Sequence, residues 1–350
     1  MKIGFAIPTL TAYPRSVEKT RADTKLRFER SYELCDLAEE LGFDFGSVGH
    51  HRFSPWTVDS SCPLVLLAAL AARTSRLRLL TNILLLATHN PVEIAEQAGM
   101  VDEISDGRLI LGIGLGYRPY EYEKLGLSFK ERSSRLEEGI AILRQALGGK
   151  AVTFHGRHYD VEGADVTPRP IQPNGPPIWV GAIAPPAVLR AARLGDGWIA
   201  SGTRSIALLI PQIQAYRAAA REAGMPGSLT LFRKIGIGAT HADIVRNWLP
   251  SVVEVHRQYA RDNVPFENPE FEAKVRSGAD LSLDDLPRDQ FIIGTPEECI
   301  AQLCQCRELT GCDNMIADFG RAAQGEEFTR IRAAMDLFGR EVLPNLGGQA

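Results

Sequence analysis

The chain of 350 residues sets 39 Lys and Arg against 43 Asp and Glu, a formal net charge of −4, and 45% of it is hydrophobic. So even a balance gives no electrostatic search for nucleic acid or membrane, while leaving room for a local site that binds a small anion. The apolar content suffices for a large core, and no apolar run approaches the ~20 residues that a membrane helix needs.

Short β-rich runs alternate with longer helical ones. KIGFAIP (2–8) reads as a strand. In 25–42, Leu34, Leu37, Ala38 and Leu41 recur at helical spacing and Gly42 stops the helix. FDFGSVG (43–49) is a second strand running into the pair His50-His51. PLVLLAALAARTS (63–75) is a helix opened by Pro63. LRLLTNILLL (77–86) has the continuous apolar character of a strand buried on both faces. PVEIAEQAGMVDEIS (91–105) is the next helix, and RLILGIGLG (108–116) the fourth strand.

The rhythm continues with a helix over 132–147 and a small hairpin over 151–163, turned at His155-Gly156. PIWVGA (177–182) is a fifth strand with its helix at 185–195. GWIAS (197–201) is a sixth, with a helix over 205–223. LTLFRKIGIGAT (229–240) is a seventh, with a helix over 242–260. A charged, irregular stretch follows, about 261–290. TPEECIAQLCQCREL (295–309) is a helix with a Thr cap, CDNMIADFG (312–320) an eighth strand, and 325–344 the closing helix.

Eight strands, each followed by a helical crossover, predict an α/β fold of the (β/α)8 TIM-barrel type, with a doubly wound open sheet as the alternative. No linker divides the chain, so 1–350 reads as one domain, with a short hairpin insertion and an insertion before strand 8. The six cysteines form no CxxC pair, which suits reduced, structural thiols. The N-terminus runs straight into a strand without the apolar core of a signal peptide. A cytoplasmic protein is the expectation.

In a barrel the active site lies at the C-terminal ends of the strands. His50, His51 and His89 fall near such ends. Adjacent residues on an extended chain point to opposite sides, so His50 and His51 do not share one ion. No HxH or HExxH is present, and no metal is expected. Gly112, Gly114 and Gly116 lack the spacing of a dinucleotide fingerprint, and Pro119 follows in place of an immediate helix. On one side of a barrel strand they leave room for a flat ring. The turn into Pro185-Pro186 is a helix start of the kind that offers backbone N–H groups to phosphate. Phe53, Trp56, Tyr117, Tyr120 and Tyr122 populate the mouth loops and suit a largely apolar pocket.

These residues together resemble the bacterial luciferase-like flavin monooxygenases, a family that includes enzymes of the deazaflavin F420. The resemblance covers nearly the whole chain. It is carried by GHH (49–51), HNPVEIAEQAGMVDEISDGRLILGIGLGY (89–117), PPIWVGAIAPPAVLRAARLGDGW (176–198) and GTPEECIAQLCQCRELTGCDNMIADFG (294–320). It implies a barrel with a flavin-type cofactor at its mouth. Reduced FMN from a separate flavin reductase would react with O2 to a C4a-(hydro)peroxide that oxygenates a small organic substrate. The alternatives it leaves are an F420-dependent hydride transfer without O2 and a non-catalytic flavin-binding protein.

Carried over residue by residue, the resemblance makes His50 the acid/base candidate and His51 its neighbour in the substrate pocket, with Trp56, Tyr117 and Arg118. It puts a non-prolyl cis peptide at Asn82-Ile83 and Gly114 beside the flavin ring. The phosphate-binding turn falls on Ile183, Ala184 and Ala187. Gly49 stands where such chains carry a glutamate, and Gly114 and Leu115 replace a cysteine and a phosphate-binding arginine. Light emission is therefore not expected, and the cofactor phosphate needs another cation, with Arg118, Arg204 and Arg233 as candidates. A homodimer through the helices after strands 2 and 3 is expected from the same resemblance.

Overall fold

The computed structural model describes residues 1–8, 21–53, 60–261, 266–320 and 326–346. The strands, in chain order, are β1 (Lys2–Ala6), β2 (Phe45–Val48), β3 (Arg78–Thr81), β4 (Leu109–Ile113), β5 (Val152–His155), β6 (Asp160–Ala164), β7 (Ile178–Ala182), β8 (Gly197–Ala200), β9 (Ser228–Ile237), β10 (Phe291–Gly294) and β11 (Asn314–Asp318). The helices are α1 (Arg21–Leu41), α2 (Pro63–Ala71), α3 (Pro91–Ile104), α4 (Pro119–Glu123), α5 (Arg132–Leu147), α6 (Pro185–Leu194), α7 (Ile206–Glu222), α8 (His241–Asn247), α9 (Leu249–Arg261), α10 (Pro269–Ser277), α11 (Pro296–Thr310), α12 (Glu326–Glu341) and α13 (Leu343–Leu346).

Strands β1, β2, β3, β4, β7, β8, β9 and β11 pair in parallel in that order, and β11 returns to β1, so the sheet closes as a (β/α)8 barrel. Strands buried on both faces need apolar residues throughout. Leu109–Ile113 is buried at every position for that reason. Inward side chains Phe45, Leu80, Ile110, Trp179, Ile199 and Ile316 fill the barrel, with Phe45 edge-on to Trp179 at 6.1 Å. The outward faces join the helices in one large outer core. Among the described residues no helix is long and apolar enough to cross a membrane, and all six cysteines are free thiols.

Several predicted boundaries move, each for a local reason. The apolar run 77–86 is strand only as far as Thr81. The Asn82–Ile83 peptide is cis, and beyond it Leu84 regains the sheet as a single bridge to Ile113. Leu84, Leu85 and Leu86 stay buried in a loop, so their hydrophobicity records burial rather than strand. The predicted helix 242–260 is broken at Trp248, two residues before Pro250. Proline lacks the N–H and crowds the carbonyl four residues back. The hairpin is confirmed as β5–β6, with its turn extended so that Gly156 N–H donates to Tyr159 O.

The insertion before the eighth barrel strand is less irregular than its composition suggests. It holds α10, capped by Asn268 whose Oδ1 accepts from Glu270 and Phe271 N–H, and a further strand, β10, that pairs in parallel with the upper half of β9. Phe271, Val275, Leu286, Phe291 and Ile293 pack with Trp248, Val252 and Val253 of α8–α9 into a core of their own. Apolar residues are too sparse there to show a period. The insertion covers the rim of the barrel mouth on the β9 side.

Candidate active site

A cavity of about 510 Å³ opens at the carboxyl ends of the barrel strands. A larger, shallower hollow of about 1090 Å³ lies at the opposite ends, lined by Arg78, Arg144, Trp179 and Asp196. There Arg144 and Asp196 spend their charge on each other at 2.9 Å. None of the chain's histidines lines it, so the carboxyl-end cavity is the candidate site. It brings together His50, His51, Asn82, Ile83, Tyr117, Ile183, Ala184 and Ala187. Trp56 lies outside the described residues.

The two histidines point to different partners, as strand geometry requires. His50 is buried, and its Nδ1 accepts the Leu85 N–H at 3.1 Å. That assigns the neutral ring's proton to Nε2. Although the Ser61 backbone lies near enough to favour protonation slightly, Nε2 is left without a hydrogen bond. The His89 ring lies 5.4 Å away. Burial, reinforced by the charges of His89, His51 and Arg52, holds the His50 pKa well below the usual range. His50 is thus a neutral donor at any ordinary pH.

His51 has the partner that Gly49 does not supply. Its Nδ1 is 3.1 Å from Glu121 Oε1, which also accepts the Arg52 N–H at 2.8 Å. Glu121 is fully buried, and its Oε2 has no hydrogen-bond partner. The His51 ring stands edge-on to Tyr117 at 5.5 Å. A carboxylate hydrogen-bonded to Nδ1 fixes the orientation of the ring. Glu121 is absent from the residues singled out in the sequence. It sits in α4, beyond the glycines of β4 in the helix that Pro119 opens, and only the fold brings it to β2.

Burial of the histidines has a measurable consequence. His89 is held at about 4, chiefly by burial and then by the Arg52 charge. Above pH about 6.5 it is neutral folded or unfolded, so its contribution to stability is fully present. As pH falls toward 4, only the unfolded chain gains the proton, and roughly 3 kcal/mol of stability is lost on the linkage relation. His155, raised by its Asp160 hydrogen bond, acts in the opposite sense and is exposed. The urea midpoint of the wild type should drop between pH 7.5 and 5 more steeply than that of His89→Asn. Parallel slopes would contradict the burial argument.

Three sequence expectations meet a particular local geometry. Gly114 does not line the cavity. A Cβ there would meet Ile83 Cδ1 at 2.0 Å, and one on Gly181 would meet it at 2.8 Å. The missing side chains make room for Ile83, which in turn forms the cavity wall. The α6 start is poor in donors: Pro185 and Pro186 have no N–H, and Ala187 and Val188 N–H both turn back on Ala184 O. Its geometry is fixed by Trp198, whose buried Nε1 donates to Ala182 O at 2.9 Å.

The three arginines expected near the phosphate are not among the residues that line the cavity. Arg118 is buried beside Tyr120 and Tyr117, Arg204 does not line the cavity, and Arg233 points outward and is wholly buried. The cations that do line it are Arg132, stacked 3.9 Å over Phe129, and Lys234. Alternation along β9 carries the signal: Phe232 and Lys234 share the inner face, so Arg233 takes the outer one.

A barrel with a largely apolar cavity at its catalytic end, carrying a buried carboxylate–histidine pair, is a small-molecule enzyme in design. Residues 1–313 match the luciferase-like monooxygenase family, and the chain belongs to it. Over its whole length it is similar to the monooxygenase RslO1 from Streptomyces bottropensis, with 26% identity, a TM-score of 0.81, and coverage of 98% of this chain and 99% of that one. The oxygenating constituent of 3,6-diketocamphane monooxygenase from Pseudomonas putida, in complex with FMN, shares the fold at 18% identity, TM-score 0.75, and 99% and 98% coverage. An F420-dependent glucose-6-phosphate dehydrogenase from Amycolatopsis mediterranei is 28% identical over 285 residues, 77% of this chain and 83% of that one. The chain is an oxidoreductase of this family.

Proposed function

We propose that the protein is a two-component monooxygenase that takes reduced FMN from a separate flavin reductase and uses O2 on a small, largely apolar substrate. The observation that carries this reading is the placement of the His51–Glu121 pair and the neutral His50 on one wall of the cavity. The likeness to RslO1 along the whole chain supports the monooxygenase side. The residues present fit a flavin ring. Asn82–Ile83 supplies a backbone wall, His50 Nε2 a buried donor in want of an acceptor, and Arg132 a cation for the phosphate.

When bound, the reduced flavin supplies the electrons that activate O2. The chain's own residues do the rest. Apolar walls exclude water. Ile83, Ile183, Ala184 and Ala187 bound the ring and its side chain. His51, its ring oriented by Glu121, holds or gives the proton at the reacting oxygen. His50 donates a hydrogen bond without changing charge. Val65, Met100 and Ile104 expose apolar surface on α2 and α3, the faces through which we propose a homodimer; light scattering that returns the monomer mass at micromolar concentration would reject it.

F420 is the second reading, favoured by the donor-poor α6 turn and by the Amycolatopsis relative. Anaerobic titration with reduced FMN and with reduced F420, followed by admission of O2, separates the two. Reduced FMN should bind, and turnover should require O2. Binding of F420 alone, with turnover that ignores O2, would sink the monooxygenase reading.

A further inference from the structure

One charged pair in the cavity has no part in the chemistry above. Lys234 of β9 and Asp318 of β11 are register partners, both line the cavity and both are buried. In strand order β9 lies four places from β3 around the closed barrel, so the pair faces the Asn82–Ile83 wall across the mouth. A ligand lying on that wall has its other face toward Lys234.

The lysine is underused. Its Nζ reaches Asp318 Oδ2 at 3.4 Å, a long single contact, and Asp318 Oδ1 is taken by the Gly320 N–H at 3.1 Å. An ammonium has three donors. Among the described residues Asp318 is its one hydrogen-bond acceptor. The Phe232 and Tyr259 rings flank Nζ at 5.8 and 5.7 Å; they soften the burial of the charge but accept no conventional hydrogen bond. Withdrawing an ion pair from water for one stretched contact is unfavourable unless further acceptors complete the site. Asp318 already cancels the charge, so the acceptor that suits the remaining ammonium donors is a neutral oxygen rather than an anion.

We propose that Lys234 positions the substrate by donating to a carbonyl or hydroxyl oxygen on an otherwise apolar molecule, with Asp318 aiming the ammonium. The substrate is then an oxygen-bearing organic compound held at its oxygen, on the side of the cavity remote from Asn82–Ile83. This rests on the cofactor reading only for which face the ring occupies; the oxygen preference itself is tested without cofactor.

Binding of acetophenone, its near-isostere ethylbenzene, and benzoate is followed by ligand-observed NMR on the whole protein, in wild type, Lys234→Met and the double variant Lys234→Met/Asp318→Asn. The double variant removes both charges, so a fold lost to an unpaired Asp318 does not decide the matter. Wild type should favour acetophenone over ethylbenzene by about tenfold, the worth of a hydrogen bond to a charged donor, and should not favour benzoate over the ketone. Both variants should lose that preference while holding ethylbenzene as before. Equal affinities for ketone and hydrocarbon in wild type would overturn the proposal, as would tighter binding of benzoate than of the ketone. Oxidised FMN and F420 are titrated in parallel. Loss of flavin affinity in Lys234→Met with unchanged ketone binding would assign the lysine to the cofactor and overturn the proposal. A ketone preference that persists in a protein binding neither flavin would support it while removing the cofactor reading.

Discussion

Glu121→Gln should lower kcat/KM by about a hundredfold or more, the scale of a lost acid/base function. Glutamine keeps the shape and still offers an oxygen to the Arg52 N–H. What it loses is the carboxylate that holds the His51 ring in place. His51→Gln should cost a similar amount, and the double variant little more than either alone, because the two side chains act as one unit. The measurement is steady-state turnover of whichever substrate the wild type accepts, with the urea midpoint as a check on folding. Additive losses would separate the residues and refute the pair. His50→Ala is the informative comparison. By sequence alone it was the expected acid/base residue, yet its Nδ1 is committed to Leu85 N–H and burial keeps it neutral. Its loss should lower turnover without moving the pH profile.

Gly114→Ala should abolish most flavin binding through a residue that does not touch the cavity. The new methyl would stand 2.0 Å from Ile83 Cδ1, so Ile83 must leave its slot between Gly114 and Gly181 and enter the cavity. Overpacking of this kind costs roughly 1–3 kcal/mol of stability, with a fall in oxidised-flavin affinity of about tenfold or more if that energy is taken from binding. The companion Ile83→Val removes only Cδ1, the atom in conflict, and the double variant should recover both stability and affinity. Unchanged flavin affinity in Gly114→Ala would mean that the Ile83 wall is not where the ring lies. Failure of the double variant to recover would place the damage in the β4 backbone instead.

Most of the barrel was legible because its signals are local. Both-face burial makes a strand continuously apolar, as in Leu109–Ile113. Proline at helix starts (Pro63, Pro91, Pro185, Pro296) and the Thr295 cap mark boundaries within a few residues, whereas the short helix that Pro119 opens is missed. Where the local signal was ambiguous, the reading slipped. Leu84–Leu86 are apolar because they are buried beyond the end of β3, and the insertion core is assembled from short runs of α8, α9, α10 and β10 that meet only in the fold.

That His50 and His51 stand at the mouth of a barrel and point apart follows from strand order and alternation, which are properties of the chain alone. Which histidine has a carboxylate follows from the closure of the sheet. Glu121 is 70 residues from His51, and no periodicity links two positions joined by the closure of a sheet. The same holds for the cations. Arg118, Arg204 and Arg233 were plausible by nearness to strand ends, but a side chain's direction is set by the strand's inner and outer faces, and these admit Lys234 and turn Arg233 away. Gly114 by sequence offers space; in the fold Ile83 packs against it, because what fills the gap left by a missing Cβ depends on the neighbouring strand.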